Sequence, residues 1–355
     1  MSAPGPRPVE ATHSDSEPAR AVRFSVIVPL YNGGATLAAT LDAILAQTRP
    51  PLEVIVVDDA STDDGAMVTE QYRNAIKLLR LNNNSGVQAA RNRGIDHAAG
   101  DWIALCDQDD LWAPDYLARH AALIAAAPRL DFVFANFRRT VHGNMEPQAK
   151  FDQAPPGFWQ QCGRRVLAEG WVFDRCIAGQ TFVWHPMFPS ATVISRRLIE
   201  TVGGFDTAMR GLRPEDGEFT LRCLYRATVG AIPDPVVTIQ RHGGNFSRDQ
   251  MLSLVDEVAA LRFVRSHHEA ARPYWPIIDD QIRRRRISAA HAAFARGEHS
   301  LLRRLGGEID PHDQTLALRV KLAVAALPAP LDNWINAALQ HAGAACRVVA
   351  RGARH

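Results

Sequence analysis

Between Phe24 and Asp110 the chain repeats one pattern: a short apolar run that stops on polar or acidic residues, then a stretch of helical periodicity. The runs are FSVIVPLYN, EVIVVDD, IKLLRL and DWIALCDQDD. Runs this apolar, with β-branched residues at successive positions, suit strands covered on both faces. Between them, ATLAATLDAILAQ presents Leu37, Leu41, Ile44 and Leu45 as one helical stripe. STDDGAMVTEQY opens with Ser61, Thr62 and Asp63 as helix-capping residues, and GVQAARNRGIDHAAG follows the polar turn NNNSG. Strands alternating with helices imply right-handed crossovers and an α/β fold, a mostly parallel sheet with helices on both faces.

In such sheets ligands bind outside the carboxyl ends of the strands. Tyr31 and Asn32, Asp58 and Asp59, and the run from Asp107 to Asp110 all lie just past predicted strand ends. Residues far apart in sequence therefore converge on one edge. Three carboxylates in Asp107-Gln108-Asp109-Asp110 repel one another unless they are solvated or a cation neutralises them. Asp107 and Asp109 are two apart and point to one side in extended backbone, an oxygen-rich arrangement suited to Mg2+ or Mn2+. The alternative is a solvated turn in which Asp110 caps the next helix. Asp58 and Asp59 precede the capping residues, and a carboxylate there can accept from a ribose hydroxyl or a base. Glu215 and Asp216 open a further helix, EDGEFTLRCLYRA, with Phe219, Leu221, Cys223 and Leu224 facing inward. They either complement the helix dipole, or one of them is a general base.

Beyond about Phe151 the pattern loosens and aromatics accumulate: Phe158, Trp159, Trp171, Phe173, Phe182, Trp184 and Phe188. They form either a second small core or a surface for stacking a substrate. After Met251 the chain turns Ala- and Arg-rich with helical periodicity, as in LSLVDEVAALRFVRSHH and QIRRRRISAAHAAFARGEH. The last of these segments, from Leu316 on, is apolar on one side and basic on the other. It packs on the domain or another subunit, or lies on an anionic membrane surface.

A formal net charge of +2 gives no reason to expect a nucleic-acid partner. The five cysteines form no C-x-x-C pair, so neither a zinc site nor a disulfide framework is indicated. The first twenty residues contain no apolar stretch and read as a disordered tail without a secretory signal. No G-x-G-x-x-G or G-x-x-x-x-G-K-[ST] follows a strand, which argues against a dehydrogenase and a P-loop enzyme. A nucleotidyltransferase shares the nucleotide and metal needs but would release pyrophosphate.

The segments SVIVPLYNGGATL, EVIVVDDASTDD, NNSGVQAARNRGIDHAAGDWIALCDQDDLW, ATVISRRLIETVGGFD and RPEDGEFTLRC resemble the family 2 glycosyltransferases. They stand in the family's order over about Phe24 to Ser247. The resemblance implies a GT-A fold in residues 23–250, with a nucleotide-binding half (23–112) and an acceptor and catalytic half (113–250). A tail (1–22) precedes it and a C-terminal helical region (251–355) follows. It further implies an inverting, metal-dependent hexosyltransferase that moves a sugar from a nucleotide-sugar donor, by default a UDP-sugar, to a saccharide or lipid-linked saccharide. Polysaccharide or glycolipid synthesis in the cytoplasm, or at the inner face of the membrane, is the matching setting. The C-terminal helices would serve membrane contact or homo-oligomerisation. By the same resemblance, Pro29, Tyr31 and Asn32 meet the nucleotide, Asp58 and Asp59 hold its base and ribose, and Asn84, Gly86 and Arg91 close over it. Asp107, Gln108 and Asp109 match the D-x-D element, with Asp109 the direct metal contact. Asp216 matches the base, with Glu215 beside it. Arg241, His242 and Ser247 resemble an element closing over the diphosphate, and His242 is a candidate third ligand. A non-catalytic sugar- or nucleotide-binding protein on the same fold is the alternative.

Overall fold

A computed structural model of the chain describes residues 21–141, 143–211, 216–241 and 250–327. Glu215, His242 and Ser247 lie outside the described residues, as do Arg213, Pro214, most of the N-terminal tail and the chain beyond residue 327.

The repeating pattern folds as β1 (Phe24–Leu30), α1 (Gly34–Leu45), β2 (Glu53–Asp58), α2 (Gly65–Gln71), β3 (Lys77–Arg80), α3 (Val87–His97) and β4 (Trp102–Leu105). Then come β5 (Leu111–Trp112), α4 (Tyr116–Ala126), β6 (Phe132–Val141), β7 (Asn144–Met145), α5 (Phe158–Gln161), β8 (Arg164–Leu167), β9 (Gly170–Phe173) and α6 (Ala178–Thr181). Next are β10 (Thr192–Ser195), α7 (Arg196–Val202), α8 (Gly217–Leu224) and β11 (Val229–Arg241). The C-terminal helices are α9 (Gln250–His267), α10 (Trp275–Ala295), α11 (His299–Gly307) and α12 (Leu316–Ala325).

All the strands belong to one sheet, whose main path runs β3-β2-β1-β4-β10-β6-β11-β9-β8. The first four strands are mutually parallel. β10 then enters antiparallel between β4 and β6, and β11 runs parallel to β6. The apolar runs are doubly covered. Ile27, Ile55, Val57, Ile103 and Leu105 face one core, and Val26, Val28, Val54, Val56 and Ala104 face the other. The first core lies toward α3, α7 and α8. The second is closed by α1 and α4, whose Leu37, Leu41, Ile44, Leu117 and Leu123 are all buried. α3 sits close to the sheet at Gly94, where an added Cβ would come within 2.4 Å of Ile27 Cγ2.

The aromatic segment resolves mostly into core. Phe158, Trp159, Phe173 and Phe182 are buried and join the first cluster. An acceptor-stacking role for the segment as a whole is therefore corrected. Trp184 is half-buried and packs T-shaped against Phe158 and Trp159. The helices α9 to α12 build their own small core around Ala289, Ala293, Phe294, Leu302 and Leu318. Among the described residues no helix is long and apolar enough to cross a membrane.

Candidate functional site

The carboxyl ends of β1, β2 and β4 meet at one edge, and hydrogen bonds across their loops fix that edge in shape. Just past β1, Asn32 adopts a left-handed backbone (φ 47°), which asparagine tolerates better than most residues. Its N–H donates to Ser61 Oγ (3.0 Å), and its Oδ1 accepts from Thr62 N (2.8 Å). Asp63 accepts from Gly34 N (2.8 Å) and Gly65 N (3.0 Å). The N-cap position of α2 is Asp64, with no side-chain cap bond. Ser61, Thr62 and Asp63 thus stitch two loops together, and of the three only the Asp63 carboxylate accepts from the start of α2, which corrects the simple capping reading.

Asp58 and Asp59 are buried, at 1% and 2% exposure. Asp58 accepts from Ser61 N and Arg80 Nε, both at 2.8 Å. Asp59 accepts from Ser85 N (2.6 Å) and Gly86 N (2.8 Å). Both carboxylates hold the loops of the edge, and any nucleotide contact must share oxygens already in use. Gly86 has φ 93°, a conformation that favours glycine, and this lets the chain turn into α3 with its N–H on Asp59. Arg210 reaches across from the other half and donates to Asn84 Oδ1 (2.8 Å) and Asn84 O (3.1 Å). Pro29 is buried within β1 opposite Val57, while Tyr31 is 45% exposed on the edge.

The acidic run divides by burial. Asp110 is 1% exposed, hydrogen-bonded to Ser190 Oγ and to Gln240 N (3.1 Å). Burial, with Asp107 and Asp109 nearby, drives its pKa well above the usual carboxylate range. It does not cap α4, whose N-cap is Asp115. Asp107 and Asp109 are the partly exposed members. Ser190 Oγ also accepts from Asp107 N (2.9 Å), so one serine fixes both ends of the run. The side chain of Arg91, 1% exposed, donates to Asp107 Oδ1 at 2.7 Å. Gln108 turns back to Tyr31, accepting from its N–H (2.7 Å) and donating to its carbonyl (3.1 Å).

Across the edge, Asp216 is half-buried at the N-cap position of α8. Its carboxylate makes no cap bond, so capping does not consume it. His185 feels the charge of Asp216. Its Nδ1 lies 3.2 Å from Met187 O, which can only accept, so Nδ1 carries the proton in the neutral ring. The buried Nε2 has no hydrogen-bond partner among the described residues. Burial is the main cause that lowers the His185 pKa. Two residues past Asp216, Glu218 contacts His268 Nε2 (2.8 Å) and Arg222. Burial opposes its charge, but these two bonds prevail and hold its pKa at about 2.

The structure thus brings Tyr31, Asn32, Asn84, Gly86, Arg91, Asp107, Gln108 and Asp109 to one edge, with Asp58 and Asp59 beneath it. Ser190, Arg210 and His185 were not singled out from sequence. Each is an isolated polar residue that meets a site residue distant in the chain, so no local spacing marks it.

The family described as Glycosyl transferase family 2 matches residues 25–180. An uncharacterized glycosyltransferase of Haemophilus influenzae is 28% identical over 201 residues, which cover 57% of this chain and 62% of that relative. S. aureus TarS 1-349, solved with UDP-GlcNAc, superposes with a TM-score of 0.59 at 20% identity, covering 86% of this chain and 89% of that one. Mannosyltransferase PcManGT from Pyrobaculum calidifontis, solved with GDP-Man and Mn2+, gives a TM-score of 0.54 at 22% identity, covering 90% and 86%. At these identities the two structures carry the fold, which is of GT-A type, and the sequence match over the strand ends carries the lineage. Over residues 25–180 the chain is similar to the family 2 glycosyltransferases, on a fold of GT-A type.

Proposed function

We propose that this chain transfers a sugar from a nucleoside-diphosphate donor to a hydroxyl of a saccharide acceptor, with inversion, in the hexosyltransferase class. The observation that carries the reading is the pair Asp107 and Asp109 at the end of β4, partly exposed beside the loops of β1 and β2 while Asp110 is withdrawn into the core. UDP-GlcNAc and GDP-Man are the donors in the related structures, and a UDP-sugar is the donor proposed here. We assign the donor half to residues 23–112, the acceptor half to 113–250 and a helical region to 251–355. Saccharide chains or lipid-linked saccharides of a cell-surface polymer are the proposed acceptors.

The residues fit a divalent cation. Asp107, one of whose oxygens accepts from Arg91, and Asp109 are the residues that would hold it. Among the described residues no three acidic, His or Cys side chains gather into a complete metal cage. Two carboxylates leave room for phosphate oxygens and water, as Mg2+ and Mn2+ prefer. When bound, the cation would supply charge neutralisation on the donor diphosphate.

The chain's own residues do the rest. Asp59 holds Ser85 and Gly86, and Arg210 holds Asn84, so the loop over the nucleotide is fixed before the donor arrives. Asp216 removes the proton from the acceptor hydroxyl as that oxygen attacks the anomeric carbon. The unpartnered Nε2 of His185 can accept from a second acceptor hydroxyl and help orient it. The test is turnover: purified full chain with Mn2+ and a panel of UDP-, GDP- and dTDP-sugars should release nucleoside diphosphate from one donor class. Binding of donor with no release in the presence of a broad acceptor panel would favour the non-catalytic reading.

A further inference from the structure

Asp107 and Asp109 stand in a loop that is fastened on both sides of them. Ahead of it, Cys106 N–H donates to Ile27 O at 3.0 Å. Within it, the Gln108 carbonyl accepts from Thr40 Oγ1 of α1 at 3.0 Å. Beyond it, Leu111 and Trp112 of β5 pair antiparallel with Thr238 and Val237 of β11. A further fastening comes from the 3-10 turn Pro189–Ala191, which leads into β10. β10 runs antiparallel to β4, with Ser195 opposite Trp102 and Val193 opposite Ala104. Continued past Val193 toward the turn, that register sets Ser190 opposite Asp107.

Ser190 is fully buried, at 0% exposure. Its hydroxyl oxygen accepts from Asp107 N at 2.9 Å and bonds the Asp110 carboxylate. Its carbonyl accepts from Trp112 Nε1 at 2.7 Å. The other Asp110 oxygen accepts from Gln240 N at 3.1 Å, beside Arg241, where β11 ends. One hydroxyl thus joins the end of β4 to the end of β11 by way of Asp110. A serine that only satisfied a buried carboxylate would need its O–H alone. The bond to Asp107 N is additional, and it falls on the residue whose carboxylate Arg91 holds at 2.7 Å. Asp107 is therefore fixed through its backbone by Ser190 and through its side chain by Arg91.

We infer that Ser190 is a positioning residue for the divalent cation: its hydroxyl fixes the Asp107 amide and, through Asp110, the place of the acidic loop against the end of β11. The inference rests on the proposed reading of Asp107 and Asp109 as the residues that hold the cation. Ser190 is assigned no contact with the ion or with either substrate. Mg2+ and Mn2+ held by few protein oxygens depend on how those oxygens are spaced, so a rotation of the Asp107 peptide is felt as lost affinity. Bonds that orient a ligating side chain are worth about 10–100-fold in metal affinity.

The experiment titrates Mn2+ into the full chain in the presence of UDP, following free Mn2+ by electron paramagnetic resonance, with urea unfolding of each variant in parallel. In Ser190→Ala the Mn2+ dissociation constant should rise on the order of tenfold. Trp112→Phe removes the bond to the Ser190 carbonyl and leaves the hydroxyl in place. It should lower the urea midpoint yet hold Mn2+ affinity within about threefold, which separates positioning from a general loosening of the fold. Should Ser190→Ala not fold, Ser190→Cys takes its place: a thiol fills the same position but accepts weakly, so the loss should have the same direction and a smaller size. Wild-type Mn2+ affinity in the folded Ala or Cys variant would overturn the proposal and leave Ser190 to packing. A loss in Trp112→Phe as large as that in Ser190→Ala would overturn it as well. Failure of wild type to bind Mn2+ with UDP would remove the cation reading itself, and this inference with it.

Discussion

Asp109 and Asp216 carry opposite signatures if the account is right. Asp109→Asn removes the charge that faces the cation, so metal-dependent nucleotide affinity should drop by about a hundredfold, the scale of a lost charge-assisted contact. Calorimetry with UDP, with and without Mn2+, measures it. Asp216→Asn should lower transfer by roughly 10²–10⁴-fold while donor affinity stays within a few-fold, because a general base acts only in the chemical step. Near-normal turnover in that variant would remove Asp216 from the base role. Their positions were readable in the sequence, because Asp109 follows a marked strand end and Asp216 stands at a marked helix start. What spacing did not reveal was the division inside the acidic run. Only the contacts of Asp110 with Ser190 and Gln240 N, eighty and more residues away, show which carboxylate is buried. His185 was invisible for the same reason, since it gains its meaning from Asp216, brought near it by the fold.

At the scale of elements, the parallel half was readable because strands covered on both faces must be apolar at nearly every position. The insertion of β10 between β4 and β6 was not. ATVISRR has the composition of a strand, but nothing in it specifies an antiparallel neighbour. The close seat of α3 on the sheet gives an element-level prediction. In Gly94→Ala the new Cβ would meet Ile27 Cγ2 at 2.4 Å. Overpacking costs about 1–3 kcal/mol, and better helix propensity returns up to about 1 kcal/mol. The net loss should appear as a lower urea midpoint with unchanged slope. A variant as stable as wild type would show that the helix can shift without strain.

Over the whole molecule, the C-terminal region joins the start of α8 through His268, which bonds Glu218 two residues after Asp216. Glu218→Gln removes a charge from a buried pair, while Arg222 keeps the carbonyls of Val202 and Gly204. The expected cost is therefore about 1–3 kcal/mol, below that of a fully orphaned ion. The pKa of Glu218 is about 2 in the folded chain, lowered from an ordinary 4.5. Its contribution is thus present above pH 4.5 and fades as pH falls toward about 2. Wild type should lose more stability than Glu218→Gln over that window in thermal melts, and parallel losses would contradict the assignment. The central claim is that the edge formed by β1, β2 and β4 binds a nucleoside diphosphate through a cation at Asp109. The most direct test is a thermal-shift screen of the full chain against UDP, GDP and dTDP, each with and without Mn2+ or Mg2+. The account predicts a rise in melting temperature with one nucleotide class that requires the metal and is absent in Asp109→Asn. A folded wild type that shows no shift with any nucleotide, or a shift that persists unchanged in Asp109→Asn, would contradict it.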